Sequence, residues 1–556
     1  MKKNNLTIIL LLAIFILSLA FRFYKITSVP ISLNWDEAAF AYNAYSILQT
    51  GKDEYGTPFP LEFKSVGDYK CPIFVYLTVP VIKLFGLSEF SIRLLSSLFG
   101  ALSVAVFFLL TKELFGDLKI ALAAGIITAI SPWHLQFTRA QGDVAISSFL
   151  VVLGIWQFIR WVKQKESLAI FISIISFSLT FYAYFSERVF VPVLFLLLCF
   201  FFRKEILSRK KEFFLAGIGG LLILLPLVRT MMSSGQKNKI LITTIFGYRR
   251  PQEYLEKMAS EDHLPIIYKI FHHPAIEYSW MIVDRYLNHF SPYFLFTRGP
   301  NDDRQRIEGM GMLYWSDAVL LVFALMALKA FKKRQELLLV AAWLAISPLP
   351  SIVTRDPVHA RRAFNMLYPL SIILAIGAVK LFGLVKKKKG TFFKIFLPLG
   401  FGLFFFWSFS FYILSYFVFT PPETAAGPGG WSYGYKQLVE YVSPLKDKYE
   451  KIVIDTSYQG PYLFFLFYEK YPPALYQPQA QLVKKDEFSL GEGKGYDNYE
   501  FRDIYWPVDR GAKHTLFAGS PERLPLQDID SREARILKTI YFPDGKEAFY
   551  VVETYK

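Results

Sequence analysis

The sequence predicts a polytopic α-helical membrane protein of about eleven transmembrane helices, followed by a small external α/β domain at the C-terminus. Of the 556 residues, 53% are hydrophobic, and the mean hydropathy is +0.31. The apolar runs are long enough to cross a bilayer core of about 30 Å as helices. Short basic segments alternate with these runs, which is typical of loops between spans.

The basic segments orient the chain in the membrane. They lie at 2–3, 112–119, 160–166, 203–212, 329–336 and 380–394. Their excess of Lys and Arg is large enough to account for the net charge of +16. Because such loops stay on the cytoplasmic side, we expect the N-terminus inside and the C-terminus outside the plasma membrane. The spans are then predicted near 6–22, 91–111, 118–132, 143–161, 168–184, 189–202, 213–230, 316–331, 337–353, 363–383 and 392–418.

The placement of charge and cysteine excludes several classes of protein. Lys and Arg are scattered over short loops instead of forming one basic surface, so a nucleic-acid partner is excluded. Cys71 and Cys199 are predicted near opposite membrane faces, which excludes a disulfide framework. Many further spans follow the first apolar segment, so we expect an uncleaved helix there and not a signal peptide. Membrane lipids are therefore the expected surroundings.

The chain divides by composition into three parts. Residues 1–420 form the predicted membrane domain, 421–430 (PPETAAGPGG) a Pro/Gly hinge, and 431–556 an external soluble α/β domain. The membrane domain carries two long external loops, 24–90 and 231–315.

Short elements are predicted in the first loop and in the C-terminal domain. Two interfacial helices are expected in the first loop, around Ala38–Gln49 and Pro72–Phe85. In the C-terminal domain, 451–455 (KIVID) is typical of a strand and 461–470 of a helix, while 535–550 is typical of a hairpin turning at Pro543-Asp544-Gly545.

An acidic pair, Asp36-Glu37, follows the first predicted span almost at once. Carboxylates are strongly hydrated and do not favour insertion of a helix into the membrane. Their position therefore suggests a site for a polar or phosphorylated substrate near the lipid headgroups. They would serve as a general base or as metal ligands. The alternative is a solvated cap on the helix that starts near Ala38, because carboxylates favour the positive end of the helix dipole.

A second motif, Asp68-Tyr69-Lys70-Cys71-Pro72, places a cation directly before a helix that begins with proline. Lys70 beside free backbone N–H groups is a ready anion site. The alternative is an ordinary interfacial lysine whose ammonium reaches the headgroups. Tyr69 is predicted to contact substrate.

A third motif, SPWHLQFTRAQGD, contains His134, Arg139 and Asp143. Arg139 and Asp143 are spaced i, i+4, so they could share a helix face and pair with each other. Alternatively, Arg139 binds phosphate and Asp143 adds a second carboxylate to the site. His134 is predicted to contact substrate.

Basic turns on the predicted external side form a fourth group, containing Arg188, His359, Arg361 and Arg362. Arginine is more frequent in cytoplasmic loops, so arginines on the predicted external side need an explanation. Bidentate binding of a lipid phosphate is one; salt bridges to Asp356 or Glu187 are another.

The polar motifs gather at the external ends of the predicted helices. A transporter needs polar groups near the midplane with access from both sides, whereas an enzyme for a lipid-linked substrate needs them at one interface. We therefore favour the enzyme, with a flippase or transporter of lipid-linked saccharides as the alternative. A membrane scaffold that displays the C-terminal domain leaves the ordered motifs unexplained.

As an ordered set, these motifs resemble the GT-C superfamily of integral-membrane glycosyltransferases. The nearest groups are the dolichyl-phosphate-mannose protein mannosyltransferases and the lipid A aminoarabinose transferases. Asp36-Glu37 resembles the acidic motif of the first external loop. Lys70-Cys71-Pro72 resembles a Lys-Pro-Pro motif with Cys71 in place of the first proline. The similarity extends over residues 5–420 and includes SPYFLFTRGPNDDRQRIEGMGMLYW and TRDPVHARRAFNMLYPL.

The resemblance implies an inverting transfer of a sugar, hexosyl or pentosyl, from a polyprenyl monophosphate on the external face. The catalytic residues are then Asp36, Glu37 and Asp143. The donor phosphate is bound by six residues: Lys70, Arg139, Arg188, His359, Arg361 and Arg362. No cofactor is required with certainty; a divalent metal on Asp36 and Asp143 is the alternative to direct base catalysis. The acceptor, a protein, lipid or cell-wall glycan, is expected to be selected by 231–315 and the region after 420.

Overall fold

The computed structural model describes most of the chain. The described residues are 2–140, 142–231, 243–247, 257, 260, 273–328, 333–387, 390–425, 430–458, 460–483 and 492–555. The predicted loop 231–315 and the predicted hinge 421–430 therefore lie partly outside the described residues.

Helices dominate the first three quarters of the chain. Eleven come first: α1 (Lys2–Phe23), α2 (Trp35–Thr50), α3 (Pro72–Phe85), α4 (Glu89–Phe115), α5 (Leu118–Ile130), α6 (Pro132–Ala140), α7 (Gly142–Gln164), α8 (Ser167–Ala183), α9 (Glu187–Phe201), α10 (Arg203–Ser208) and α11 (Lys210–Met231). Six more follow among the described residues: α12 (Pro274–Asn288), α13 (Asp317–Leu328), α14 (Arg334–Ile346), α15 (Leu349–Ile352), α16 (Leu367–Lys387) and α17 (Leu397–Leu414). The C-terminal region adds α18 (Thr420–Glu423), α19 (Tyr435–Val442), α20 (Pro461–Tyr468), α21 (Pro473–Tyr476) and α22 (Trp506–Asp509).

The described residues contain seven helical stretches that are long and apolar enough to cross a membrane, or eight if the bent pair α5 and α6 counts as one span. The prediction of about eleven spans is not confirmed. Three predicted spans correspond to shorter apolar helices among the described residues, namely α8 and α9 with 17 and 15 residues and α13 with 12 described residues. The class predicted from composition, a multi-span helical membrane protein, is confirmed.

The C-terminal region contains a mixed six-stranded sheet in the order β6-β7-β3-β8-β10-β9. Its strands are β3 (Lys451–Ile454), β6 (Gly495–Tyr496), β7 (Tyr499–Phe501), β8 (Thr515–Gly519), β9 (Ala534–Tyr541) and β10 (Glu547–Thr554). The central strand β3 runs parallel to both neighbours, and the other pairs are antiparallel. A separate two-stranded ladder joins β4 (Leu482–Val483) to β5 (Glu492–Gly493). The predicted strand, helix and hairpin of this region are present as β3, α20 and the pair β9–β10.

The chain divides into two compact units, each built from several segments. The first unit comprises Met1–Ser18, Ala101–Gln136 and Ser147–Tyr412. The second comprises Leu19–Gly100, Phe137–Ile146 and Ile413–Lys556. The boundary expected from composition at 421–430 stays a prediction.

Residues 24–90, predicted as the first external loop, belong to the second unit and are folded throughout. The helices α2 and α3 occur where the sequence predicts two interfacial helices. Between them lies an antiparallel hairpin, β1 (Phe63–Ser65) and β2 (Asp68–Lys70), whose turn uses Gly67 at φ 61°. Glycine adopts this left-handed conformation without steric cost. The hairpin therefore fixes the backbone directly before Cys71, the N-cap of α3, and Pro72, its first residue.

Candidate active site

The acidic pair opens α2 in the second unit, and a capping box fixes its first turn. The Asn34 side chain accepts a hydrogen bond from the Glu37 N–H at 3.0 Å, and the Glu37 carboxylate accepts one from the Asn34 N–H at 3.1 Å. Such reciprocal bonds satisfy two of the free N–H groups at a helix start. Asp36 is thus held in the first turn of a well-defined helix.

Glu37 is also the partner of a buried arginine that the sequence analysis did not single out. Arg93 Nε donates to Glu37 Oε1 at 2.9 Å, and both side chains are almost fully buried. The remaining Arg93 nitrogens donate to carbonyls of the segment 26–32. The carboxylate of Glu37 is therefore used in joining α2, α4 and this segment.

Asp36 has a different partner, the ammonium of Lys70. The two side chains form a salt bridge and are 16% and 12% exposed, so solvent still reaches the pair. Lys70 is also 3.8 Å from Asp68 Oδ2. The structure therefore brings together the acidic motif and the lysine motif, which are separate in the sequence.

Tyr69 precedes Lys70 in the hairpin and lies opposite Lys64. Its side chain is partly exposed, and partial burial raises the pKa of the phenol above its usual value. The phenol is therefore neutral at physiological pH and can donate a hydrogen bond.

Arg139 is buried and donates hydrogen bonds to the backbone of the second unit. Its two terminal nitrogens donate to carbonyl oxygens in the segment 21–29, at distances from 2.6 to 3.3 Å. The guanidinium also lies 5.6 Å from the ring centre of Tyr416 and 5.3 Å from that of Phe417. These contacts engage all four terminal N–H groups, which leaves them directed at backbone and not at an anion.

Asp143 lies in the first turn of α7 and is 6% exposed. One carboxylate oxygen accepts a hydrogen bond from the Val144 N–H at 2.9 Å. At the neighbouring Gly142, an added Cβ would meet the Phe74 ring at about 2.0 Å, so α3 packs closely on this turn. Asp143 is thus a buried carboxylate at a helix start within the second unit.

A basic turn lies in the first unit around His359. Gln305 bonds to His359 Nε2 at 3.2 Å and accepts the Arg361 N–H at 3.1 Å. Burial, followed by the charges of Arg362, Arg361 and Arg304, holds the pKa of His359 well below its usual value. His359 is therefore neutral, and the positive charge of the turn resides on the arginines.

Two of these arginines have additional partners within the first unit. Arg362 pairs with Asp356 at 3.2 Å, which is one of the two salt bridges considered from the sequence. The guanidinium of Arg361 lies 5.2 Å from the ring centre of Tyr184. An aromatic face of this kind fixes the plane of the guanidinium.

Arg188 and Glu187 occupy the first turn of α9, also in the first unit. Arg188 donates to the Phe181 carbonyl at 3.1 Å and lies over the Phe185 ring. Glu187 accepts hydrogen bonds from Ser147 and Asn365, and burial raises its pKa to about 7. Glu187 is therefore part of a buried polar network.

His134 is fully buried in the first unit. Its Nε2 lies 3.1 Å from the Ser103 hydroxyl and 3.4 Å from the Tyr368 hydroxyl. The ring is enclosed by Phe364 and Tyr368. Direct contact of His134 with substrate stays a prediction.

The residues present do not fit a resident metal ion. In the described part of the chain, no group of three or more His, Cys, Asp or Glu side chains could hold one. Asp36 faces an ammonium, which repels a divalent cation.

Comparison with known proteins gives one family match. Residues 69–229 match the family described as dolichyl-phosphate-mannose-protein mannosyltransferase. This range begins in the lysine motif and contains the motif with His134, Arg139 and Asp143. No curated protein sequence matches the chain significantly.

Solved structures match over nearly the whole chain. ArnT from Cupriavidus metallidurans in the apo state has a TM-score of 0.55 and 12% identity, covering 100% of this chain and 98% of that chain. The same protein bound to undecaprenyl phosphate has a TM-score of 0.53 and 12% identity, covering 99% and 98%. The Archaeoglobus fulgidus oligosaccharyltransferase in the apo form has a TM-score of 0.50 and 13% identity, covering 98% and 74%. At such low identity, the likeness shows a shared fold.

Proposed function

We propose that the chain is an inverting glycosyltransferase of the GT-C superfamily, of the ArnT-like and mannosyltransferase-like kind; the family match over residues 69–229 and the shared fold support this. The donor is a hexose or pentose on a polyprenyl monophosphate, and the acceptor is a hydroxyl of a protein, lipid or cell-wall glycan. Transfer takes place at the external face of the plasma membrane. The undecaprenyl phosphate bound to the Cupriavidus protein supports this class of donor.

The observation that carries the proposal is the salt bridge between Asp36 and Lys70. A carboxylate is paired with an ammonium, at the start of a capped helix directly after the first span. The proposed base and the proposed cation for the leaving phosphate are thus in contact before substrate binds. A helix cap alone needs no such partner from a hairpin 34 residues away.

In the proposed reaction, the acceptor oxygen attacks the anomeric carbon from the face opposite the phosphate. The bond from this carbon to the acceptor oxygen forms while its bond to the phosphate oxygen breaks. Asp36 takes the proton from the acceptor hydroxyl, and the electron pair leaves on the polyprenyl phosphate. One displacement inverts the anomeric configuration.

Lys70 has two roles in this proposal. Before the donor binds, its ammonium pairs with the Asp36 carboxylate. When the phosphate develops charge, Lys70 stabilises that charge, because a preorganised cation in a partly dry site lowers the barrier to departure. As the ammonium turns to the phosphate, the Asp36 carboxylate is left to accept the proton of the acceptor hydroxyl.

The other predicted site residues divide by their contacts. We propose that Glu37 and Arg139 are positioning residues, since Arg93 binds the Glu37 carboxylate and backbone carbonyls accept the terminal N–H groups of Arg139. The roles expected of Asp143 and His134, and the donor-binding role of Arg188, His359, Arg361 and Arg362, are retained as proposals. The positive charge of the turn around His359 suits a phosphate.

The proposal is tested with the purified protein in lipid nanodiscs and a panel of polyprenyl-monophosphate sugars, together with native membrane acceptors. Release of free polyprenyl phosphate with a glycosylated acceptor supports a transferase. Movement of intact donor across the bilayer without release supports the transporter and contradicts the proposal.

A further inference from the structure

The first unit contains an apolar groove with two lysines at one end. We call it the Lys119/Lys386 groove; it is lined by residues of α5, α13, α16 and α17 together with Leu313 and Tyr314 from the chain before α13, and its volume is about 570 Å³. None of its lining residues belongs to the predicted site. The groove is therefore a separate feature that the proposed reaction does not use.

The two lysines lie at the same end because the helices that carry them run in opposite directions. Lys119 is near the beginning of α5, and Lys386 is near the end of α16. At the opposite end, Ser131 follows α5 and Ser371 is near the beginning of α16. The helices α5 and α16 pack directly against each other. The groove thus runs along them, from a cationic end to a polar end.

The cationic end is available to an anion. Asp117, the N-cap of α5, accepts the backbone N–H of Lys119 at 2.8 Å. Both lysines have exposed side chains, and neither forms a salt bridge with a residue that the structure describes. A phosphodiester would supply the missing negative charge.

The opposite end does not suit an anion. Asp317 lines it, 5% exposed, and accepts the Tyr314 N–H at 3.0 Å. The Tyr314 hydroxyl donates to the Ile130 carbonyl at 2.6 Å, which closes this end with a neutral group. A polyprenyl phosphate with its phosphate at this end would find a carboxylate in place of a cation.

Between its ends, the groove opens on apolar side chains. Phe382 is 51% exposed and Ile126 is 38% exposed. An added Cβ at Gly383 would meet no atom within 4 Å, so the space beside this glycine is empty of protein. In a membrane-spanning region, such a space is filled by a hydrocarbon chain, because lipid is the surrounding solvent.

We propose that the Lys119/Lys386 groove binds an anionic membrane phospholipid, with its phosphate on the two lysines and one acyl chain along α5 and α16. Both this phospholipid and the sugar donor carry a phosphate, but Lys119 and Lys386 lie in segments predicted to be cytoplasmic, whereas the donor is proposed to react at the external face. We therefore commit to the phospholipid. The inference goes beyond the proposed transfer reaction, and its test requires no enzymatic activity.

Native mass spectrometry of the full-length protein in detergent tests the proposal with phosphatidylglycerol and phosphatidylcholine of identical chains. The attraction of two lysines for an anionic headgroup corresponds to a preference for phosphatidylglycerol over phosphatidylcholine on the order of 30-fold. We expect this preference in wild type, its loss in Lys119→Gln/Lys386→Gln, and its retention in the control Lys210→Gln/Lys211→Gln. Thermal midpoints of both double variants verify folding.

A second variant tests where the acyl chain binds. The leucine side chain of Gly383→Leu should occupy the empty space in the groove and reduce the occupancy of both lipids. The proposal is overturned if wild type binds the two lipids equally, or if Lys119→Gln/Lys386→Gln still prefers phosphatidylglycerol. Full lipid occupancy in Gly383→Leu overturns it as well. If polyprenyl phosphate is the lipid that Lys119→Gln/Lys386→Gln loses, the groove binds the donor instead.

Discussion

The ammonium of Lys70 is paired with the carboxylate of Asp36, although one follows a hairpin and the other opens a helix. The capping box at Asn34 fixes the carboxylate, and the hairpin β1–β2 fixes the ammonium. Both groups are therefore placed by local structure before any substrate is present. This preorganisation is what a displacement at an anomeric carbon requires.

Lys70→Ala should weaken donor use while leaving the fold intact. A charge-assisted hydrogen bond is worth about 1.5–3 kcal/mol, so kcat/KM for the donor should fall about tenfold to a hundredfold. The control is Lys64→Ala, an exposed lysine on the partner strand of the same hairpin. Steady-state kinetics with varied donor make the measurement. Equal values for the two variants would remove Lys70 from the mechanism.

Arg93→Ala should destabilise the protein strongly. It leaves Glu37 buried without its cation, and breaking a buried pair costs about 3–5 kcal/mol. The thermal midpoint in detergent should fall, and Arg93→Ala/Glu37→Gln should recover part of the loss. Lys546→Ala, which removes a surface pair to Asp544, is the control and should change little. An unchanged midpoint for Arg93→Ala would contradict the structural role of the pair.

Arg139→Lys separates two roles for this arginine. Lysine has one side-chain nitrogen in place of the two that bind the carbonyls of the segment 21–29. We therefore expect a lower thermal midpoint and a donor KM close to that of wild type. The reverse result, a normal midpoint with a raised donor KM, would return Arg139 to the phosphate-binding role predicted from the sequence.

Glu187 should make stability depend on pH. Burial raises its folded pKa from 4.5 to about 7, so the stability it contributes is present in full below pH 4.5 and is lost as the pH rises through 7. Glu187→Gln resembles the protonated form. Its thermal midpoint should exceed that of wild type increasingly from pH 5 to 8, by at most about 3 kcal/mol in free energy.

The matched control for this pH series is Glu522→Gln, which changes an exposed carboxylate in the other unit. Its midpoint should follow that of wild type at every pH. A constant difference between Glu187→Gln and wild type across the series would show that Glu187 does not titrate in this range.

Local patterns predicted the elements around the candidate site. Pro72 and the preceding cysteine mark the start of α3, and the apolar run after Asp36 marks α2, because both signals lie within a few residues. The hairpin at Pro543-Asp544-Gly545 is likewise a local turn signal, and it appears as β9–β10.

These local patterns did not predict contacts between residues that are distant in the sequence. The partner of Glu37 is Arg93, 56 residues away. A charged residue inside the apolar helix α4 was a usable signal, since such residues are costly in a membrane and are paired. The network of Gln305 with His359 had no comparable signal, because glutamine is ordinary in a loop.

Helix length bears on the prediction of about eleven spans, which the structure does not confirm. Apolar runs such as α8 and α9 have the composition of a span but form helices of 17 and 15 residues. Composition reports how apolar a segment is, whereas its helical length depends on where caps and prolines end it.

The role of Asp36 as the base that deprotonates the acceptor is tested by measuring sugar transfer by the Asp36→Asn variant. We would measure release of polyprenyl phosphate in a single turnover by wild type, Asp36→Asn and Asp68→Asn, with donor binding measured in parallel. Asp68 is the matched control because it is the other carboxylate near Lys70. We expect Asp36→Asn to bind donor but to release no phosphate, while Asp68→Asn remains active. Release by Asp36→Asn at a rate near that of wild type would contradict this role of Asp36.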